Sequence, residues 1–372
     1  MKKKLMFVLL ILLSLVLISG SAYAITGVCS NCHTMHNSQN GARMADQDTP
    51  YQYLLRASCI GCHTGATGQT NSYGAPIVYH TTAPTGQGAG KTLAGGDFYW
   101  VATGGGATDS TGHNVTGLAA QDAVLGLTPP GWHAGATPGS LNDGQINAGG
   151  GTWATQLNCA GQIGCHGNHS SSSNDGGVFG SHHGNTGGTS TRAQAPASVG
   201  GSYRFLGGIK GLEESGWNWA ETASTHNEYY GVNDTSNRNQ TSTAYANKDT
   251  ISYSCAQCHG YFHSRIDDTS TGSPWLRHPT DVDLPGTGEY ASYNPDNSNQ
   301  YSVEAPVGRS TVLAASSSTV TPGTDIVTCI SCHRAHGSAE PDILRWTYAN
   351  IQAGTGTSDT GCFTCHTAKN AD

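Results

Sequence analysis

The chain has 372 residues, of which 17 are Lys or Arg and 25 are Asp or Glu, and only 11% of it is charged. That acidic balance leaves no electrostatic footprint for nucleic acid or an anionic membrane surface, so no nucleic-acid partner is expected. It suits a soluble protein, or one that meets cationic or mineral surfaces.

Residues 1–24 read as a secretory signal peptide. Lys2, Lys3 and Lys4 form the charged start, an apolar run follows from Leu5 to Ile18, and Ala22-Tyr23-Ala24 is a small-x-small cleavage site. Cleavage makes Ile25 the first residue of a secreted chain spanning 25–372. The competing reading is a retained membrane anchor, for which the apolar run is short. No cysteine follows the cleavage site directly, as a lipid anchor there would require.

Residues 25–372 contain 14 Leu, 12 Ile, 14 Val and 5 Phe. This is about 13% of the mature chain, against the roughly 20% below which disorder is expected of a highly charged sequence. Gly, Ser, Thr and Asn fill much of the remainder. Burial of these aliphatic side chains alone cannot offset the conformational entropy of so long a chain. Something else must supply apolar bulk.

The twelve cysteines fall in six pairs. In chain order the first two are Cys29-Cys32-His33 and Cys59-Cys62-His63, and the last three are Cys255-Cys258-His259, Cys329-Cys332-His333 and Cys362-Cys365-His366. These five are C-x-x-C-H, the attachment signature of haem c: two thiols add to the vinyl groups, and the adjacent histidine binds iron. Disulfide frameworks and zinc knuckles need no histidine after every second cysteine. The third pair, Cys159 and Cys165, has five intervening residues and still ends in His166. Gly161 and Gly164 allow the extra residues to loop out, so this reads as a sixth haem on an expanded C-x5-C-H motif. Attachment through Cys165 alone, or a haem-free site, are the alternatives. Six porphyrins would provide the missing apolar bulk. The expected fold is a multihaem cytochrome c: mostly irregular coil with short helices at the motifs and few strands, wrapped around a continuous haem chain.

Of the 17 histidines, six follow a motif cysteine directly and eleven remain. Eleven exceeds the six needed for a second histidine on every iron, and Met is scarce, so bis-histidine irons without a vacant position are expected. On a helix, His36 lies near the same face as His33, so it can reach only a different haem. His169 and His336 repeat that spacing after His166 and His333, and His263 follows His259 by four. His80 ends APIVYH, His113 sits in TGHNVTG, and His278 precedes the stiffening Pro279. His36, His80, His113, His169, His278 and His336 are therefore the expected second ligands. His182 and His183 lie in a Gly/Ser-rich tract and are expected at the solvent-exposed surface. His133 and His226 have no supporting pattern.

Motifs three to five each begin 70 to 96 residues beyond the preceding motif histidine. No stretch between them reads as a persuasive linker, so 25–372 is taken as one domain. Trp100, Trp132, Trp275 and Trp346 are expected to pack against haem edges.

Several stretches, in this order and spacing, resemble one family: CSNCHTMHNS (29–38), GGDFYWV (95–101), GHNV, SYRFLGG (202–208), CAQCH followed by LRHP, and CISCHRAHGS (329–338). It is the hexahaem outer-surface cytochromes of metal-reducing bacteria that polymerise into conductive extracellular filaments, the OmcS type. The resemblance runs from Cys29 to Lys369. It departs at the third motif, where the family has C-x-x-C-H, and in a somewhat shorter chain. It implies a continuous haem stack of alternating parallel and T-shaped pairs, all bis-histidine. It further implies that His36 binds the neighbouring subunit's haem held by Cys329, Cys332 and His333, one coordination bond at every joint of a homopolymer.

The leading functional reading is electron transfer at the outer surface or outside the cell, to other cytochromes, metal oxides or partner cells. A monomeric periplasmic or surface carrier is the alternative. A reductase needs an open iron, against which the surplus of histidines argues. A purely adhesive filament is the remaining reading.

Overall fold

The computed structural model describes residues 28–85, 92–103, 109–132, 152–184, 199–213, 222–233, 247–263, 278–296, 298–354 and 361–370. Residues 1–24, expected to be a signal peptide, lie outside them, as do His133, Trp275 and the side chain of His263. Regular structure is short throughout: the longest described helix, Ile251–Ala256, has six residues, and no described strand exceeds three. Ser and Thr hydroxyls bond nearby backbone, which favours caps and turns over long elements. Ser58, Ser173 and Thr250 each cap a short helix by accepting from the third residue on, at 3.2, 3.0 and 3.2 Å. Among the described residues no helix is long and apolar enough to cross a membrane. The fold class is the one the sequence leads one to expect.

The N-terminal half carries three two-stranded pairs. β1 (Ser38–Gln39) and β2 (Ala42–Arg43) form a hairpin, while β3 (Thr64–Gly65) pairs parallel with β4 (Tyr79–His80), and β5 (Asn158–Ala160) parallel with β6 (Gly164–His166). A five-stranded sheet follows, built from β7 (Gly211–Leu212), β8 (Glu228–Tyr230), β9 (Val282–Asp283), β10 (Gly308–Arg309) and β11 (Ile326–Val327). Its order is β7-β8-β10-β11-β9, with only β8 and β10 parallel.

Two apolar clusters sit on this sheet and its neighbours. One joins Tyr203, Ile209, Tyr229, Ile251, Tyr253 and Ile330; the other joins Leu284, Tyr293, Tyr301, Val307, Val320 and Val327. Each fully buried large aliphatic side chain contributes about 1.5–3 kcal/mol. The sheet region thus has a side-chain core of its own, which the aliphatic count missed. The chain's 16 tyrosines explain the gap: Tyr293 is fully buried, its hydroxyl donating to the Ala305 carbonyl at 2.6 Å.

A buried polar cluster pins β8 to β10. His226 stacks on Tyr301 at 3.5 Å, with Nδ1 on the Thr222 carbonyl and Nε2 on Glu228. The Glu228 carboxylate also accepts from Arg309 and from the Ser317 amide. The charges are paired, as burial demands.

Candidate haem-binding centres

In all five C-x-x-C-H motifs one tight turn sets the geometry. The histidine amide donates to the first cysteine's carbonyl: His33 to Cys29 at 2.9 Å, His63 to Cys59 at 2.8, His259 to Cys255 at 2.9, His333 to Cys329 at 3.1 and His366 to Cys362 at 3.0. This i to i−4 bond places both thiols and the imidazole in a fixed relation.

The expanded motif reaches an equivalent arrangement by another route. The parallel register aligns Asn158 with Gly164 and Ala160 with His166, so Cys159 and Cys165 stand opposite each other. Opposite residues of a strand pair project to the same face and are close neighbours. Gly161 makes the return with φ +82°, and a Cβ on Gly164 would lie 2.5 Å from the Ala160 backbone. Both glycines are required by the loop.

All six motif histidines have Nδ1 on an acceptor. His33 bonds the Tyr53 carbonyl at 2.9 Å, His63 that of Pro76 at 2.9, His166 that of Arg204 at 2.8, His259 that of Pro130 at 2.7 and His333 that of Asp342 at 2.7. His366 bonds a Glu289 carboxylate oxygen at 3.1 Å. These oxygens only accept, so Nδ1 carries the proton and Nε2 keeps the lone pair a metal requires. Three of the carbonyls come from matching hooks with two consecutive left-handed residues: Tyr53 and Leu54, Arg204 and Phe205, Asp342 and Ile343. The second residue's carbonyl accepts the amide after the motif histidine, from Thr34, Gly167 and Arg334 at 2.8, 2.7 and 2.8 Å. Non-glycine residues pay about 1–3 kcal/mol for such backbone and hold it where surrounding contacts demand it.

Five motif histidines face a second histidine ring. The centroid separations are 6.0 Å for His33 and His183, 6.3 for His63 and His182, 6.3 for His166 and His336, 6.1 for His259 and His113, and 6.1 for His366 and His278. With metal–nitrogen bonds of about 2.0 Å and ring centres about 1.1 Å behind the ligating nitrogens, two imidazoles on opposite sides of one iron sit about 6.2 Å apart. The donor pairs fit a metal between them. Burial also keeps several rings neutral: it holds His63, His113, His166, His278 and His333 below the usual histidine range, and pushes His182 down to about 4 and His336 to about 3. Nδ1 of His336 and the indole nitrogens of Trp100, Trp153 and Trp346 are buried without hydrogen-bond partners among the described residues.

Of the expected second ligands, His113, His278 and His336 stand opposite motif histidines. His36 is exposed at the surface, and no histidine ring among the described residues stands opposite His333. His80 is placed differently from the expectation: its Nδ1 bonds Asp97 at 2.5 Å and its Nε2 the Gly68 carbonyl at 2.7, leaving no lone pair directed at a metal. His169 is buried, and its Nε2 has no partner among the described residues, but no motif histidine faces it. His183 is exposed, as expected, whereas His182 is half-buried, and both rings face motif histidines from the short helix Ser181–Gly184. Adjacent helical side chains diverge by about 100°, so one His-His dipeptide serves two neighbouring motifs. That dipeptide was the available signal, masked by the glycines and serines around it.

The cysteines of consecutive motifs are neighbours. Burial, then Cys32 and Cys59, push the Cys62 thiol up to about 11. A hydrogen bond with Cys159 and burial raise Cys59, while burial and then Cys165 raise Cys258. Burial and Cys362 push Cys332 up to about 12. The Cys329 amide donates to Ser252, in the helix carrying Cys255, at 3.3 Å. Motifs one to six therefore follow one another in space as in sequence.

Residues 322–371 match the doubled CXXCH motif family. The chain is 30% identical to the C-type cytochrome OmcS of Geobacter sulfurreducens, over 86% of this chain and 79% of that one. Two solved structures are similar. The outer membrane cytochrome S filament from Geobacter sulfurreducens has TM-score 0.44 and 22% identity over 89% of this chain and 85% of that one. The OmcS nanowires of the same organism, seen by electron cryo-microscopy, have TM-score 0.45 and 20% identity over 94% of each chain.

Proposed function

The chain belongs to the OmcS-type multihaem c-type cytochromes, and from that premise we propose that it binds six haem c groups and conducts electrons outside the cell as a homopolymer. Haem supplies one-electron transfer between ferric and ferrous iron. The observation that carries the reading is the set of five facing imidazole pairs at 6.0 to 6.3 Å, each built from one motif histidine and one other.

In this reading the motif cysteines hold the six groups as thioethers, Cys159 and Cys165 included. The carbonyl hooks hold the motif imidazoles as Nδ1–H tautomers. His183, His182, His336, His113 and His278 occupy the opposite positions, and His80 and His169 do not ligate. Saturated irons with no vacant position favour electron transfer over substrate reduction. Extracellular metal oxides, partner cells and other cytochromes are the acceptors proposed.

The joint between subunits rests on two complementary features: exposed His36, and His333 with no opposite histidine among the described residues. His36 of one copy supplies the ligand that His333 of the next lacks. Met35, next to His36 in the chain, is 78% exposed, and Val28, before the first motif, 66%, apolar surface suited to a contact between copies. A single chain with an open iron at His333 is the competing reading. Electron micrographs and paramagnetic resonance of wild type and His36→Ala decide between them. Filaments that shorten to single particles, with one haem turning high-spin, are expected; unchanged filaments with every haem low-spin would exclude His36 as the joint.

A further inference from the structure

Five of the six motif histidines give their Nδ1 proton to a neutral main-chain carbonyl. The sixth, His366, gives it to a carboxylate, Glu289, at 3.1 Å. We propose that Glu289 is a redox-positioning residue that makes the haem held by Cys362, Cys365 and His366 the lowest in potential of the six. This rests on the haem assignment proposed above.

The chemistry follows from the acceptor. An ionised carboxylate draws the Nδ1 proton more strongly than a carbonyl does, which raises the basicity of the ligating nitrogen. A more basic imidazole donates more charge to iron and favours the ferric state, so the potential falls. The placement is built rather than incidental. Glu289 lies in the short 3-10 turn Gly288–Tyr290, and Thr367 in the turn after the motif donates its hydroxyl to the Glu289 carbonyl at 3.3 Å. The same hydroxyl lies 3.3 Å from the Ser292 carbonyl. The Tyr290 ring meets the His366 ring edge-on at 4.8 Å, and His278 faces it at 6.1 Å. The His366 and Glu289 side chains are 21% and 26% exposed, so solvent only partly screens the pair. Lys369 sits 3.4 Å from the other carboxylate oxygen and is 52% exposed. It offsets part of the through-space charge without touching the hydrogen bond. The sixth motif is last in the spatial order, so the low-potential site stands at one end of the subunit.

The test is a spectroelectrochemical titration of the purified, secreted full chain, with haem content read from its intact mass. Glu289→Gln keeps the size and an acceptor oxygen but removes the charge. It is expected to move the most negative of the six components to higher potential and leave the other five in place, all low-spin. Lys369→Gln, at an exposed position, is expected to move the same component to lower potential. A six-haem Glu289→Gln protein whose lowest component stays put overturns the proposal, as does a shift confined to a higher component. A wild-type proteolytic fragment in which Cys362 and Cys365 carry no haem overturns the underlying haem assignment instead.

Discussion

His182→Ala tests the ligand set proposed at the second motif, and His80→Ala is its counterpart. The His182 ring stands 6.3 Å from His63 and packs on Phe205 at 5.1 Å. Its removal opens an axial position on one iron of the six proposed, so about one sixth of the iron turns high-spin, and the lost ring costs about 2–5 kcal/mol of stability. The half-buried site favours the lower end of that range. His80→Ala breaks a pair with Asp97 whose members are 3% and 0% exposed. Losing one partner of a buried pair costs about 3–5 kcal/mol. Two amide donors, His80 N at 3.0 Å and Tyr99 N at 2.8, still hold the Asp97 carboxylate, which favours a folded variant. Its iron is expected to stay entirely low-spin, because both His80 ring nitrogens already have partners. Paramagnetic resonance of the two oxidised variants, with added imidazole as a rescue, reads the difference. A high-spin signal in His80→Ala and none in His182→Ala would refute the assignment and restore His80 as the ligand.

Two further outcomes follow from the geometry. Gly164→Ala places a methyl 2.5 Å from the Ala160 backbone, so β5 and β6 separate and Cys159 leaves Cys165. Mass spectrometry of proteolytic fragments after thiol alkylation should show a free Cys159 at that motif alone, and two thioethers there would disprove the role of the strand register. Acid should weaken the fold through the buried histidines. The pKa of His182, about 4, lies below its ordinary 6.5, so the unfolded chain binds more protons between these values. Its contribution is complete above pH 6.5 and is lost as pH falls through about 4, in total roughly 3 kcal/mol. Iron competes with the proton for the same lone pair, so ligation acts in the same direction. The melting temperature of wild type should drop more steeply than that of His182→Ala between pH 6.5 and 4; parallel curves would remove His182 from the effect.

Chain-local features were legible because their chemistry is chain-local. A C-x-x-C-H motif closes one turn by an i to i−4 bond whatever surrounds it, so cysteines, motif histidines and short helices could be placed directly. The rich content of Gly, Ser, Thr and Asn likewise set the irregular fold through side-chain and turn preferences. Spacing also pointed to His336, and local context to His113 and His278. The same kind of argument also pointed to His80. APIVYH does not reveal that Asp97 and the Gly68 carbonyl take both ring nitrogens.

What tertiary structure alone decided was which groups meet. The aliphatic count missed a tyrosine-built core because burial depends on partners brought together across the sheet from β7 to β11. His182 and His183 became facing partners because a four-residue helix aims adjacent side chains at two motifs more than 100 residues upstream. Cys159 and Cys165 were brought level by a parallel register, which depends on the backbone path between them. Glu289 reached His366 from 77 residues away. Sequence named the donors along the chain; only folding brings distant donors and acceptors within bonding range, since hydrogen bonds and metal bonds act over a few ångströms.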